Sequence, residues 1–297
     1  MLRHRLITGT LLTLGLLALL WADGAVSARM RDSEAVRAWL GTSDGLLLLG
    51  FTLAVLAPLL GRELASLLRG AGIAAPTALT VLAAVTGAAA VRAMAGAGTP
   101  AAAAGMAASA IWLVLAAALL AHTRGQRVEG VVAATGGTML SLAWSGAMLG
   151  TWLLVRMQVG PWVMAGAVLT VKASDIGAYF TGMSIGRHKM IPWLSPGKSW
   201  EGLVGGIVFA ALVGALLAGW SGQLDDPRDH VPVALGAITG AVLGVLGPFG
   251  DLAESLLKRS AGAKDSGATL PGMGGLLDVV DSPLLAGPAV LWALSLR

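Results

Sequence analysis

The stretch GLVGGIVFAALVGALLAGW, residues 202–220, contains no charged side chain. It is about as long as the ~20 apolar residues that an α-helix needs to cross a bilayer. Over the whole chain, 56% of the residues are hydrophobic and only 12% are charged. The sequence therefore predicts an all-α fold, a polytopic helical bundle in a membrane with about nine transmembrane helices. The other apolar runs lie at 5–21, 44–60, 75–94, 104–121, 130–155, 160–180, 232–250 and 283–296.

The first apolar run follows Arg3 and Arg5, as the hydrophobic core of a secretory signal peptide would. The sequel Trp21-Ala-Asp-Gly-Ala is a weak cleavage site, and further apolar runs follow it. We expect the first helix to be retained, with a signal peptide as the alternative.

The composition excludes several classes of site. The chain has no cysteine, so it has neither a disulfide framework nor a thiolate nucleophile, and its four histidines are not spaced as zinc ligands. The net charge is only +4, and the basic residues lie at the ends of the apolar runs rather than in a patch. We therefore expect no nucleic-acid partner.

The basic residues also predict an orientation in the membrane. If the N-terminus is cytoplasmic, the connecting segments on the cytoplasmic side carry more Lys and Arg than those on the opposite side, as the positive-inside rule requires. The loops at 181–201 and 251–282 then lie on the cytoplasmic face of the cell (inner) membrane. Nucleotides are found on that side.

Polar residues inside the spans are unevenly distributed. Residues 1–125 contain few of them and are interpreted as scaffold or as the surface of a homodimer, whereas 126–297 is interpreted as the catalytic region. Glycines four apart in the later spans predict close helix packing. Those glycines are Gly202, Gly206, Gly236, Gly240 and Gly244, with Gly205 beside them.

A polar island interrupts the apolar sequence at residues 251–281, DLAESLLKRSAGAKDSGATLPGMGGLLDVVD. Carboxylates, lysines and glycines together are typical of sites for a metal ion and a polyphosphate, because Mg²⁺ takes carboxylate and phosphate oxygens and lysines neutralise the remaining charge. The alternative is a solvated loop between two spans. The charged residues are Asp251, Glu254, Lys258, Arg259, Lys264, Asp265, Asp278 and Asp281.

Two further groups of polar residues are candidates for ligand binding. Lys172 and Asp175 lie three apart inside the sixth span, where ionisable groups mark a functional cavity or an ion pair that pins two helices. In Ser195-Pro-Gly-Lys-Ser-Trp-Glu, Lys198 and Ser199 are predicted to lie near a helix N-terminus, where phosphate binds favourably.

The stretch from Ser255 to Asp281 resembles the signature of the phosphatidate cytidylyltransferase family, also called CDP-diacylglycerol synthases. That signature runs Ser-x-hydrophobic-Lys-Arg, four residues, Lys-Asp, then Pro-Gly-His-Gly-Gly-hydrophobic-x-Asp-Arg-x-Asp. The segments beginning at Asp175 and Ser195 resemble the family's other shared blocks, so the resemblance covers roughly residues 170–285. The matching residues are Ser255, Lys258, Arg259, Lys264, Asp265, Pro271, Gly272, Gly274, Gly275, Asp278 and Asp281.

The resemblance implies transfer of a cytidylyl group from CTP to phosphatidic acid, giving CDP-diacylglycerol and pyrophosphate. It implies Mg²⁺ held by Asp251 and Asp278, with Asp281 orienting it or binding a second cation. Lys264 and Asp265 would complete the catalytic set. The implied substrate-binding residues are Lys172, Asp175, Lys198, Ser199, Lys258, Arg259, Gly272, Gly274 and Gly275.

Two positions depart from the family pattern. Met273 stands where the family has histidine, and Val279 stands where it has arginine. The predicted partners are CTP, phosphatidic acid and membrane lipids. The departures leave open a CTP-dependent transferase with another lipid acceptor, or a weakened or inactive relative. A transporter is a further alternative, although transporters usually have two related halves and here the polar residues are concentrated in the second half.

Overall fold

The computed structural model describes residues 2–36, 42–123 and 128–297. Within these ranges, nine helices are long and apolar enough to cross a membrane, which confirms the predicted all-α, polytopic fold. The helices are α1 (Leu2–Met30), α2 (Leu46–Gly70), α3 (Thr77–Met94), α4 (Pro100–Thr123), α5 (Val131–Gln158), α6 (Pro161–Ile185), α7 (Trp200–Ser221), α8 (Val233–Ser260) and α9 (Leu277–Leu294).

Several helices extend beyond the predicted apolar runs. Helix α2 continues past residue 60 to Gly70, and α9 begins at Leu277 rather than at residue 283. An α-helix satisfies its own backbone hydrogen bonds, so it continues through polar residues such as Arg62 and Glu63, which are good helix formers. Two π-helical segments, Thr52–Leu56 in α2 and Ser141–Ala147 in α5, interrupt the regular spacing.

The sequence predicted a loop between α6 and α7, but the structure has regular secondary structure in this segment. It contains an antiparallel hairpin of β1 (Lys189–Ile191) and β2 (Ser195–Ser199), with Lys189 opposite Ser199. Strand β2 leads directly into α7, so the hairpin fixes where Lys198 and Ser199 lie relative to that helix.

The chain forms two compact units. The first comprises Met1–Leu154 and Leu257–Val279. In it, α3 packs closely on the π-helical segment of α5: a Cβ added to Gly146 would lie 2.5 Å from the carbonyl oxygen of Ala84. The Ser141 hydroxyl donates a hydrogen bond to the carbonyl oxygen of Thr80 at 2.7 Å. Small residues and a buried hydroxyl thus hold these helices together, as is usual in membranes.

The second unit comprises Val155–Leu256 and Val280–Arg297. Here α7 packs between α6 and α8 through glycines, which confirms their predicted packing role. A Cβ added to Gly206 would lie 2.8 Å from the carbonyl oxygen of Ser174 on α6, and one added to Gly244 of α8 would lie 2.6 Å from Cα of Ile207. The backbones approach so closely that a side chain would force the helices apart.

We predict that Gly206→Ala destabilises the protein by about 1–3 kcal/mol, because the methyl group overpacks the α6–α7 crossing. Gly219→Ala on the same helix is the matched control, since its nearest neighbour is Val233 Cγ2 at 3.7 Å, an ordinary contact. The measurement is thermal unfolding of both variants in detergent. Equal midpoints for the two variants would contradict the packing role.

Candidate functional site

Three carboxylates meet in the second unit. Asp251 and Glu254 lie on α8 and Asp281 lies on α9, and each offers an oxygen within 4.8 Å of the others. Glu254 is fully buried and Asp281 is 5% exposed, whereas Asp251 is partly exposed. Carboxylates this close repel one another unless a cation or protons lie among them. We refer to these three residues as the acidic cluster.

Helix geometry explains why the acidic cluster forms. Asp251 and Glu254 are three residues apart, so they share one face of α8. Gly250 allows α9 to come close, because a Cβ there would lie 2.7 Å from the carbonyl oxygen of Asp281. The Asp281 carboxylate also accepts a hydrogen bond from the backbone N–H of Ser282 at 2.6 Å.

Lys198 joins the hairpin to the acidic cluster. Its ammonium group donates to Asp251 Oδ2 at 2.8 Å and to the carbonyl oxygen of Pro248 at 2.7 Å. The next residue, Ser199, is the N-cap of α7, and its hydroxyl oxygen accepts a hydrogen bond from the N–H of Gly202 at 3.2 Å. The sequence correctly placed both residues at a helix N-terminus. The structure gives Ser199 a capping contact and gives Lys198 a carboxylate partner.

Lys172 and Asp175 pair with each other on α6, with Nζ and Oδ2 3.4 Å apart. Both side chains are more than a third exposed. Because the pair lies within one helix, it does not pin two helices together, which was the alternative suggested by the sequence.

Asp278, one turn before Asp281 in α9, has a different environment in the first unit. Its Oδ1 accepts from Lys258 Nζ at 2.6 Å. Its Oδ2 accepts from the backbone N–H groups of Ser266 and Gly275, at 2.8 and 2.7 Å, and from the Ser266 hydroxyl at 2.9 Å. These donors fix the polar loop, residues 261–276, against the start of α9.

Glu63 on α2 is a residue that the sequence analysis missed. Its buried carboxylate accepts from the backbone N–H groups of Leu276 and Leu277, both at 2.8 Å. It also accepts from the Thr269 hydroxyl at 2.6 Å and lies 3.2 Å from the Ser266 hydroxyl oxygen. A carboxylate between Leu60 and Leu64 in an apolar helix is itself a signal, because such a group needs partners.

The glycines of the polar loop make these contacts possible. Gly272 and Gly274 have φ values of 78° and 93°, which favour glycine. A Cβ added to Gly274 would lie 2.6 Å from Asp278 Oδ2, and one added to Gly275 would lie 2.6 Å from Glu63 Oε2. The loop can therefore wrap tightly around two carboxylates.

Other predicted residues lie at the surface of the first unit. Lys264 and Asp265 are exposed, and exposed Arg259 donates to the carbonyl oxygen of Ala263 at 3.0 Å. Met273 and Val279, at the two positions that depart from the family pattern, are partly buried.

The acidic cluster fits a divalent cation. It supplies hard carboxylate oxygens from three side chains, two of them buried, and this is the donor set that Mg²⁺ prefers. Asp251 and Asp281 belong to the set proposed from the sequence, and Glu254 is new to it. Asp278 is instead surrounded by Lys258 and loop donors, as described above.

A profile of the cytidylyltransferase family matches residues 36–296. The chain is 40% identical to a phosphatidate cytidylyltransferase of Haemophilus influenzae over 121 residues, 40% of this chain and 41% of the relative. It is 39% identical to that of Pseudomonas aeruginosa over 155 residues, 51% and 54% of the two chains. It is 42% identical to that of Bacillus subtilis over 130 residues, 44% and 46%. The matched segments thus span about half the length of these relatives.

We predict that Glu63→Gln destabilises the protein by about 1–3 kcal/mol, because an amide NH₂ cannot accept hydrogen bonds and some loop donors would lose their acceptor. Glu129→Gln is the control, since Glu129 is an exposed carboxylate in the same unit. Thermal unfolding and proteolysis within residues 261–276 are the measurements. A Glu63→Gln protein as stable and as resistant as the control would show that the loop does not depend on Glu63.

Proposed function

The chain belongs to the cytidylyltransferase family, and from this premise we propose that it transfers a cytidylyl group from CTP to phosphatidate. An oxygen of the phosphatidate phosphate attacks the α-phosphorus of CTP, the bond between the α-phosphorus and the bridging oxygen breaks, and pyrophosphate leaves. The product is CDP-diacylglycerol, a precursor in phospholipid biosynthesis. The acidic cluster beside Lys198 is the observation that carries this proposal.

Asp251, Glu254 and Asp281 are the proposed metal ligands that the structure brings together. A bound Mg²⁺ would offset the charge of the triphosphate and of the departing pyrophosphate. Lys198, which donates to Asp251, is proposed to donate to a phosphate oxygen of CTP as well. Since no covalent intermediate is needed, the protein's part is to position the two substrates and to neutralise their charge.

The polar loop is proposed to bind the nucleotide. Lys258, Arg259 and Lys264 would supply positive charge, and Asp265 would orient Lys264. The backbone at Gly272, Gly274 and Gly275 allows close approach of a ligand. Asp278 remains a proposed metal ligand, and in that role it would first have to exchange Lys258 for the cation.

Lys172 and Asp175 are proposed to line the side of the site that faces the lipid, with the lysine suited to an anionic headgroup. The departures at Met273 and Val279 favour one second candidate, a CTP-dependent transferase with another lipid acceptor. We further propose that the protein lies in the inner membrane with its N-terminus in the cytoplasm. Its N-terminal helices are proposed to form a homodimer.

The decisive experiment is an assay of purified protein with labelled CTP, phosphatidic acid and Mg²⁺. We expect CDP-diacylglycerol to form, and we expect Asp281→Asn and Glu254→Gln each to lower turnover by about 100-fold or more, which corresponds to ~2.7 kcal/mol of barrier. Glu129→Gln should stay within about twofold of the unmutated protein, because a surface charge change has little effect.

Metal binding gives a second measurement of the same variants. Mg²⁺ or Mn²⁺ should raise the unfolding temperature of the unmutated protein and of Glu129→Gln, and this rise should be lost in Asp281→Asn. If the cytidylyl group were transferred to a different lipid but not to phosphatidate, that lipid would be the acceptor and the proposed acceptor would be wrong. Undiminished turnover in Glu254→Gln would reject the metal role of that residue.

The orientation is tested by cysteine labelling, because the chain has no native cysteine. Ala268 in the polar loop and Gln223 after α7 are both exposed. We predict that Ala268→Cys reacts with a membrane-impermeant maleimide from the cytoplasmic side only and Gln223→Cys from the opposite side only. The reverse result would refute a cytoplasmic CTP site.

A further inference from the structure

Glu201, in the first turn of α7, contacts the residue that precedes the β1–β2 hairpin. The backbone N–H of His188 donates to its carboxylate, and the nitrogen lies 3.2 Å from both Oε1 and Oε2. The ring nitrogen Nδ1 of His188 lies 2.6 Å from Oε1. A single carboxylate thus holds both the backbone and the side chain of His188. The proposed transfer does not use Glu201, although it ends the motif Ser195-Pro-Gly-Lys-Ser-Trp-Glu.

A second hydrogen bond runs in the opposite direction. The backbone N–H of Trp200 donates to the carbonyl oxygen of His188 at 2.9 Å. His188 thus both donates to and accepts from the first two residues of α7. We refer to the contacts of His188 with Trp200 and Glu201 as the clamp. Because β1 begins at Lys189 and β2 ends at Ser199, the clamp closes the base of the hairpin that these strands form.

A glycine after the end of α6 makes the clamp possible. A Cβ added to Gly186 would lie 2.6 Å from the hydroxyl oxygen of Ser199, so a side chain at this position would push the end of α6 away from β2. The same hydroxyl oxygen caps α7 by accepting from the N–H of Gly202 at 3.2 Å. Both ends of the hairpin are therefore held against the start of one helix, which fixes β2 relative to that helix.

Strand β2 carries Lys198, whose ammonium group reaches α8. Its Nζ lies 2.8 Å from Asp251 Oδ2 and 2.7 Å from the carbonyl oxygen of Pro248, and its side chain is 19% exposed. A lysine side chain has ~2 kcal/mol of rotamer entropy to lose when it is held in one place. Such an ion pair is weak unless its geometry is already favourable, so it gains from a fixed backbone. The clamp supplies that condition for Lys198.

We infer that Glu201 is a positioning residue for the transfer reaction, acting through Lys198 and not on either substrate. The inference rests on the proposed function for the role of Lys198 at a phosphate of CTP. Glu201 holds the base of the hairpin, the hairpin holds Lys198 beside Asp251, and the ammonium group meets the triphosphate at a fixed place. A charge that is already in position stabilises a transition state without having to reorganise. Loosening the clamp should therefore slow transfer.

The first test is turnover of the purified full chain with labelled CTP, phosphatidic acid and Mg²⁺. Glu201→Ala should lower kcat by about tenfold or more, because a displacement of ~1 Å in an active site can cost ~100-fold. Glu201→Gln keeps an oxygen that can accept from the His188 N–H, so it should stay within about threefold of the unmutated protein. Undiminished kcat in Glu201→Ala, or an equal loss in both variants, would contradict a role of the clamp.

The control is Lys189→Gln, which removes an exposed charge from the same hairpin. Its kcat should stay within about twofold of the unmutated value, because a surface charge change has little effect. A loss in this variant as large as in Glu201→Ala would show that the hairpin tolerates no substitution, and the specific role of Glu201 would be rejected.

A double-mutant cycle separates the positioning of Lys198 from general support of the fold. Lys198→Ala should lower kcat by itself. In that background Glu201→Ala should have less than about a twofold further effect, because the residue that it positions is gone and coupled residues are not additive. If the two losses multiply, Glu201 acts independently of Lys198 and the inference is wrong.

The chemical reactivity of Lys198 gives a measurement that needs no turnover. An amine-reactive ester labels lysines, and the sites are quantified by mass spectrometry. Glu201→Ala should raise labelling of Lys198 by at least about threefold, because local opening of the hairpin exposes its amine to the reagent. Labelling of exposed Lys264 should not change, and Lys189→Gln should alter neither rate.

This measurement lets the two proposals fail separately. Unchanged labelling of Lys198 in Glu201→Ala would overturn the positioning role whether or not the protein transfers cytidylyl groups. Increased labelling of Lys198 in a protein with no CTP-dependent activity would reject the proposed function and leave the link between Glu201 and Lys198 standing.

Discussion

A carboxylate buried among apolar helices must receive hydrogen bonds or a cation, and this requirement organises the polar part of the first unit. Glu63 meets it by accepting hydrogen bonds from Thr269, Leu276 and Leu277. Because these donors all belong to the polar loop and the start of α9, satisfying one carboxylate fixes a whole segment of backbone. Helix α2, which carries Glu63, therefore helps to fix the loop that is proposed to bind the nucleotide.

Five buried or partly buried carboxylates near the two ends of α8 and α9 have two different environments. Glu63 and Asp278 are surrounded by donors, and an anion so satisfied stabilises structure. Asp251, Glu254 and Asp281 are instead gathered close together, which costs free energy unless a cation joins them. A protein that tolerates such a cost commonly does so at a functional site. The contrast supports the acidic cluster as the metal site and Glu63 as a structural element.

Close helix packing is what allows polar chemistry at these positions. Gly206 and Gly244 let α6, α7 and α8 approach at backbone distance, and Gly250 brings α9 to the acidic cluster. The same α6–α7 crossing leaves an apolar groove that is lined by Phe180, Val204 and Phe209. The close helix packing and the approach of α9 to the acidic cluster are thus consequences of where the small residues lie along a few helices.

Much of the architecture was predictable from the sequence, because hydropathy is a local property that needs only about 20 consecutive residues to reveal a span. The spans, the glycine packing and the position of Lys198 at a helix N-terminus all follow from such local patterns. The partners of the carboxylates do not. Glu63 contacts residues more than 200 positions away, at Ser266 and Leu277. Glu254 joins Asp281 only because two helices cross at Gly250. Sequence alone determined which polar groups enter the membrane, and the tertiary structure decided which of them meet, because the grouping of Asp251 and Glu254 with Asp281 and the hydrogen bonds of Glu63 depend on contacts between distant segments.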